Sequence, residues 1–363
     1  MSAYDDLMAF QRESEALAQV AGRLGWDQET MMPPGAAPQR SEEIGALEAV
    51  LHARRTDPRL GDWLAAIDAG TLNDVGRANL RLITRSNARH TKVPADLAAE
   101  IARATSLAQG IWARARADED FATFAPTLAQ ILGLRRQQAA ALADGGDPYD
   151  ALLDDYEPGM TGAGLDRLFA ALRPRLVALR EAVLGSGRTV PVLEREFDQN
   201  GQLAISRELA AAFGYDFERG RIDNAVHPFS SGSGQDVRIT TRVSARNPFD
   251  CFYSTIHEVG HASYEQAIDP AYLLSPLGAG ASMGVHESQS RIYENQIGLG
   301  RAFTGFLFQR MRREFGDIGV ADADRFYDVA NRVAPGFIRT EADEVHYNLH
   351  VMLGFDLERA MIA

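Results

Sequence analysis

The sequence predicts a mainly α-helical protein with one small β-sheet beside its candidate chemistry. Three observations carry this reading. Apolar residues recur at three- and four-residue steps in the long segments, one stretch alternates at period two, and six of the eight histidines crowd into residues 227–350. At 363 residues the chain is long enough for two ordinary domains or for one large two-lobed helical body. Its 45% apolar content supplies a sizeable core, and nothing in the composition points to disorder, collagen or a disulfide scaffold.

Taken in order, Leu7, Phe10, Leu17, Val20, Ala21 and Leu24 form an apolar stripe that predicts a first helix, ended by Pro33-Pro34-Gly35. Leu165, Leu168, Phe169, Leu172, Leu176, Leu179 and Val183 predict another long helix that absorbs Pro174 as a kink. Polar or Gly/Pro connectors are expected at Ser86 to Pro94, at Gly145-Gly146-Asp147-Pro148 and at Gly185-Ser186-Gly187. No fixed-period repeat and no low-complexity tract interrupts them. From Gln235 to Val243, β-branched residues alternate with polar ones, which is the chemistry of a half-buried strand. With His227-Pro228-Phe229 just before it, a small sheet is expected within residues 190–245. Only His52 and His90 fall in the first half of the chain. Residues 1–200 are therefore expected to form a helical scaffold and one cleft wall, and 201–363 the metal-bearing catalytic part, within one continuous fold.

The formal net charge of −13 argues against nucleic acid as partner, because there is no basic excess to release counterions. Cys251 is the only cysteine, so no intramolecular disulfide can form. The N-terminal residues lack the basic and apolar regions of a secretory signal, and no run of about 18 apolar residues offers a membrane span. A cytoplasmic location without membrane contact is the expectation.

The chemistry centres on His257-Glu258-Val259-Gly260-His261. Asp250 is expected to cap a helix beginning after Pro248, and no proline interrupts the segment up to Ile268. On that helix His257 and His261 stand four residues apart, so both imidazoles leave one face and can converge on one ion. Glu258 is turned by about 100° from His257, poorly placed as a ligand but well placed to touch a water on the metal. A catalytic zinc ordinarily takes a third protein ligand from another element and keeps one position open. Glu287, after a glycine-rich turn from Leu277 to Gly284, is the first candidate; Glu294 and His286 are its rivals. His346 and His350 form a further pair four apart, with Asp343 and Glu344 nearby. They read as an independent metal pair or, preferably, as groups that hydrogen-bond to ligands or as plain polar helix positions.

These residues are similar to those of a known family, the M32 metallocarboxypeptidases of the thermostable carboxypeptidase Taq type. The likeness starts at Trp26-Asp27-Gln28-Glu29-Thr30-Met31-Met32-Pro33-Pro34. It continues through His227-Pro228-Phe229, Asp236-Val237-Arg238-Ile239-Thr240, the 257–261 helix, His286-Glu287-Ser288-Gln289 and Ile338-Arg339-Thr340-Glu341-Ala342-Asp343, in that order. The resemblance implies a zincin-like helical clamshell with a deep cleft, of the neurolysin/ACE-like kind, usually a homodimer. It implies zinc, replaceable by cobalt, on His257, His261 and Glu287, with Glu258 as general acid/base. Arg339 is implied near the free C-terminal carboxylate of a peptide, where a bidentate guanidinium contact suits an exopeptidase. His227, Asp236 and Arg238 are implied along the cleft, and Glu294, Asp343 and His350 as possible supports of the ligands. The implied activity is broad-specificity hydrolysis of single residues from peptide C-termini. A strand from Val237 to Val243 is expected either to pair with the extended substrate or to be an ordinary sheet edge.

The sequence also departs from the family. Family chains continue past this point with a Gln-Asp and a His-Trp pair, whereas the tryptophans here are Trp26, Trp63 and Trp112, and Ala363 follows a helical pattern with no stop signal. Groups that stabilise the oxyanion are expected to be missing, at about 2.7–4 kcal/mol per donor, and apolar surface to be exposed. The alternative reading is a catalytically impaired zinc-binding remnant. A related endo- or dipeptidase is a third, against which Arg339 argues, because an endopeptidase needs no carboxylate anchor.

Overall fold

The computed structural model describes residues 2–363. Among the described residues, nine α-helices precede the sheet: α1 (Ala3–Thr30), α2 (Ala37–Arg55), α3 (Pro58–Ala66), α4 (Asp74–His90), α5 (Ala95–Ala117), α6 (Phe121–Ala143), α7 (Pro148–Leu153), α8 (Gly162–Leu184) and α9 (Gln199–Ala212). Strands β1 (Ile222–Asn224), β2 (Ser230–Ser233) and β3 (Asp236–Thr241) follow, then α10 (Pro248–Gln266), α11 (Met283–Arg291), α12 (Arg301–Phe315), α13 (Ala323–Ala330) and α14 (Glu344–Ile362). The architecture is mainly helical with one small sheet, as the periodicity predicts. Among the described residues no helix is long and apolar enough to cross a membrane.

The first helix obeys its sequence signals. Ser2 and Asp5 make a reciprocal capping box at its start. Leu7 and Phe10 are buried against Leu60 and Ile83 of α3 and α4. Further along, the stripe turns toward the sheet: Val20 is exposed, and the buried Trp26 carries the guanidinium of Arg238 at 4.4 Å from its ring centre. Arg23 pairs with Asp236 at 2.9 Å, and Gln19 donates to Ser233 at 3.2 Å. These contacts cross the expected division at residue 200. So does α14, which sets Phe355 edge-on to Phe169 of α8 at 5.2 Å.

Three local expectations are corrected. Residues 86–90 still belong to α4, so the connector there begins only at Thr91. The helix carrying His257 starts from Asn247 and Pro248; Asp250 sits in its first turn and accepts from the Asn247 amide at 2.6 Å. The sheet order is β1-β3-β2, with β1 parallel and β2 antiparallel to β3. The alternating strand is thus central, flanked by β2 along Asp236–Ile239 and by β1 along Ile239–Thr241. It cannot pair with a peptide, because an added strand needs a free edge.

Helix α10 is gripped from two sides. Cys251, Phe252 and Ile256 enter a helical core with Ile205, Leu209, Leu307, Met311 and Phe326. Val259 and Ala262 pack on Val237 and Ile239 of β3. The 3.6-residue period leaves the His257/His261 face between these two contacts, turned toward α11. Gly260 permits the approach: a Cβ there would lie 2.5 Å from the Cα of Ser290. A residue larger than glycine would push α11 away.

Candidate active site

The close helix pair decides where the imidazoles point. His257 Nδ1 lies 2.7 Å from Glu294 Oε2, and His261 Nδ1 lies 2.6 Å from His286 Nδ1. With both Nδ1 atoms engaged, both Nε2 atoms face Glu287 Oε2, at 3.7 Å from His257 and 3.2 Å from His261. One donor atom from each of the three residues falls within 4.8 Å of the others. Donors bonded to a tetrahedral ion at about 2.0–2.2 Å lie roughly 3.3–3.6 Å from one another, which these separations bracket. The Ser290 hydroxyl, fully buried, lies 3.1 Å from Glu287 Oε2 and steadies it. Two neutral nitrogens and one carboxylate oxygen are a donor set suited to a divalent cation such as zinc.

The surrounding charge favours the same occupant. Burial, with help from the negative charges of Glu287 and Glu294, pushes the Glu258 carboxyl up to about 7 against the opposing pull of His257. Burial also acts upward on Glu287, but the His261 hydrogen bond and the charges of His257, His261 and Arg291 override it and bring the carboxyl down to about 2. Burial acts downward on His257, yet Glu294, Glu258 and Glu287 leave its imidazole raised. Burial dominates at His261, which is lowered. Three carboxylates thus share a poorly hydrated space in which Arg291 is the guanidinium that touches both Glu287 and Glu294, at 3.7 and 2.8 Å. Glu258 is only 6% exposed and accepts no hydrogen bond from the described residues, so its oxygens remain free for a substrate or a water.

The two rivals for the third donor take other parts. Seven residues after Glu287, Glu294 would share its face on an α-helix, but residues Ile292–Gly298 form a π-helical stretch. That widening, common at functional sites, turns Glu294 onto His257 Nδ1. His286 likewise meets a ring nitrogen, and its Nε2 lies 2.8 Å from Glu265 Oε1. Asp343 does not reach the three donors. Its carboxylate accepts from Val345 N and His346 N at the start of α14, from Ala334 N, and faces His346 Nδ1 at 2.8 Å. The buried His346 then accepts from Arg180 of α8 at 3.0 Å, a structural bridge between helices. His350 lies one turn further along α14.

Arg339 lies beside the donors through one side chain. It donates to the Tyr347 hydroxyl at 2.8 Å, and that hydroxyl donates to Glu287 Oε1 at 3.4 Å. No carboxylate of the described residues pairs with Arg339, whereas Arg242 is bonded to Glu341 at 2.8 Å and Asp250 at 3.3 Å. Arg116 reaches Glu341 at 3.6 Å. Burial and the charges of Arg339, Arg116 and Arg242 lower the His227 pKa, which keeps that imidazole neutral. Asp236 and Arg238 bond to each other at 2.8 Å and help line a cavity of about 290 Å³ with Arg23, Trp26, Glu265 and Gly280. Tyr347, Ser290 and Glu265 escaped the sequence reading. Glu265 alone left a trace, as the next step in the four-residue series 257, 261, 265.

A mainly helical frame with a His-Glu-x-x-His helix and a two-imidazole, one-carboxylate cluster is the build of a helical metallopeptidase. The chain belongs to the family described as Carboxypeptidase Taq (M32) metallopeptidase, which matches residues 6–363. Thermostable carboxypeptidase 1 of Thermus thermophilus is 39% identical over 377 residues, covering 99% of this chain and 74% of that protein. Its namesake from Pyrococcus furiosus is 33% identical, covering 98% and 73%. Among solved structures, the M32 carboxypeptidase from Deinococcus radiodurans superposes with a TM-score of 0.87 at 39% identity, covering 99% of this chain and 73% of that one. The structure described as BsuCP gives a TM-score of 0.94 at 31% identity, covering 99% and 74%. The chain is therefore a peptide hydrolase of a metallocarboxypeptidase family that uses a divalent metal.

Proposed function

We propose that this protein removes single residues from the free C-termini of peptides, with zinc held by His257, His261 and Glu287 and with Glu258 as its base. The observation that carries the reading is the line from Arg339 through the Tyr347 hydroxyl to Glu287 Oε1, in steps of 2.8 and 3.4 Å. A guanidinium without a carboxylate partner among the described residues, separated from the metal donors by one hydroxyl, fits a substrate carboxylate one residue beyond the scissile bond. The ion, when bound, would polarise the scissile carbonyl and lower the pKa of water in its open position.

The remaining work falls to side chains. Glu258, buried and without a hydrogen bond from the described residues, accepts a proton from the attacking water at a carboxylate oxygen and returns it to the leaving nitrogen. Glu294 holds His257, and Ser290 holds Glu287, so the donors need little rearrangement when peptide arrives. Arg339 orients the terminal carboxylate, and neutral His227 stands among the same arginines as a hydrogen-bonding wall. The cavity lined by Asp236 and Arg238 suits the upstream part of the peptide.

The test incubates the zinc-loaded chain with one peptide in free-acid and C-terminally amidated forms. Stepwise release from the free acid alone is expected. Glu258→Gln should lower kcat by about 10²–10⁴-fold, as for other lost acid–base groups. Arg339→Ala should act mainly through KM and narrow the gap between free and amidated ends. Equal cleavage of both ends by the unaltered chain would overturn the exopeptidase reading.

A further inference from the structure

Glu265 continues the four-residue series of His257 and His261 on α10, yet the proposed chemistry gives it no task. It is 8% exposed. Its Oε1 lies 2.8 Å from His286 Nε2, and among the described residues its buried Oε2 has no hydrogen-bond partner. His286 Nδ1 in turn lies 2.6 Å from His261 Nδ1. The His286 ring is clamped, with its centre 4.8 Å from that of His261 and 4.7 Å from that of Tyr264. A Cβ on Gly280 would come within 2.8 Å of its edge.

The direction of each hydrogen bond follows from donor inventory. A carboxylate only accepts, so the hydrogen between Glu265 and His286 sits on His286 Nε2. A neutral imidazole with Nε2–H has a bare Nδ1, which can only accept. With both rings neutral, the hydrogen of the 2.6 Å contact therefore belongs to His261 Nδ1; a doubly protonated His286 would instead donate to it. His261 Nε2 is then left with its lone pair directed at Glu287 Oε2, 3.2 Å away. With the opposite tautomer at either ring, two lone pairs or two hydrogens would face each other across one of these contacts.

We propose that Glu265 is a positioning residue that acts through His286 to fix the tautomer and orientation of His261. The proposal rests on the reading of His261 as a metal donor and assigns a role to a residue outside that donor set. The two donor histidines are held by unlike means. His257 meets its carboxylate directly, and Glu294 also serves Arg291 at 2.8 Å. His261 is reached across a second ring, from a carboxylate that pairs with no arginine or lysine among the described residues. Partners of this kind commonly carry 10–100-fold in metal affinity.

Two measurements on the full chain test it. Nitrogen-15 NMR of the histidine-labelled, metal-free protein reads the tautomer: hydrogen on His261 Nδ1 and on His286 Nε2 is expected. Hydrogen on His261 Nε2 overturns the proposal. Zn²⁺ affinity and the rate of Zn²⁺ transfer to a coloured chelator are then compared for unaltered protein, Glu265→Leu, Glu265→Gln and Glu287→Ala. Glu265→Leu should bind Zn²⁺ about 10–100-fold more weakly, and Glu265→Gln, which keeps a neutral acceptor, should recover part of the loss. The Co²⁺ absorption spectrum should shift in Glu265→Leu, as expected for a reoriented ring, while metal-free thermal unfolding reports whether the fold is retained. Unchanged Zn²⁺ affinity in Glu287→Ala overturns the metal site itself. A normal loss there, with Glu265→Leu binding as tightly as unaltered protein, overturns only the role of Glu265.

Discussion

Helices α8 and α10 both present apolar residues at helical spacing, yet they live in different surroundings. Eleven of the 19 residues of α10 are buried, whereas only Gly162 is buried among the 23 of α8. Leu168 and Leu179 of α8 are 55% and 48% exposed. What holds α8 is mainly α14, through the Phe169–Phe355 ring pair and the Arg173–Asp356 and Arg359–Asp166 ion pairs, with α7 meeting only its start, where Asp150 accepts from Gly162 N at 2.6 Å. Periodicity tells which face of a helix is apolar, not whether anything covers it. The difference also shows where a metal site can be built, because side chains hold a geometry only when their helix cannot tilt.

The comparison can be broken in several ways. Zinc at about a thousand times its Kd should add roughly 4 kcal/mol of stability by mass action. Hydrogen exchange should assign that gain to α10 and α11; equal protection of α8 would remove the contrast. Ile256→Ala should cost about 2–5 kcal/mol, since that side chain is fully enclosed, measured by urea unfolding of metal-free protein. Gly260→Ala should cost about 1–3 kcal/mol by overpacking and weaken Zn²⁺ binding, because the added methyl meets the Ser290 backbone. Weaker binding without any loss of stability would place the effect in the donors alone. Leu179→Ala in α8 should change stability by no more than about 0.5 kcal/mol. A loss comparable to that of Ile256→Ala would mean that the α8 face is covered in solution.

The legible part of the site was the part written along one helix. His257 and His261 could be paired from spacing because a proline-free segment preserves the angle between them. Glu287 could not be separated from Glu294 or His286 by spacing, because the π-helical stretch after Arg291 changes the angle that seven residues subtend. The glycine-rich turn before it put Glu287 first by a narrow margin, and the family resemblance set it well above the other two. The strand of residues 236–241 was visible in its alternation, but its central position was not: strand order depends on where β1 and β2 dock, which periodicity does not encode. Asp343 and His346 looked like chemistry because their residue types suit it; in the fold their atoms are consumed by a helix start and by Arg180. Glu265 was hidden because it touches the site across another ring.

The contacts between α1 and the sheet have a kinetic consequence. Gln19–Ser233 and Arg23–Asp236 join partners 214 and 213 positions apart. Loop closure grows so slowly with length that such spans cost little in final stability; each doubling adds about 0.6 kcal/mol. They weigh far more on speed, because non-local contacts are won late in folding. The strands beneath α10 can complete their packing only after the chain's beginning has returned to meet them. Refolding from denaturant should therefore restore helical circular dichroism well before Zn²⁺ can be captured.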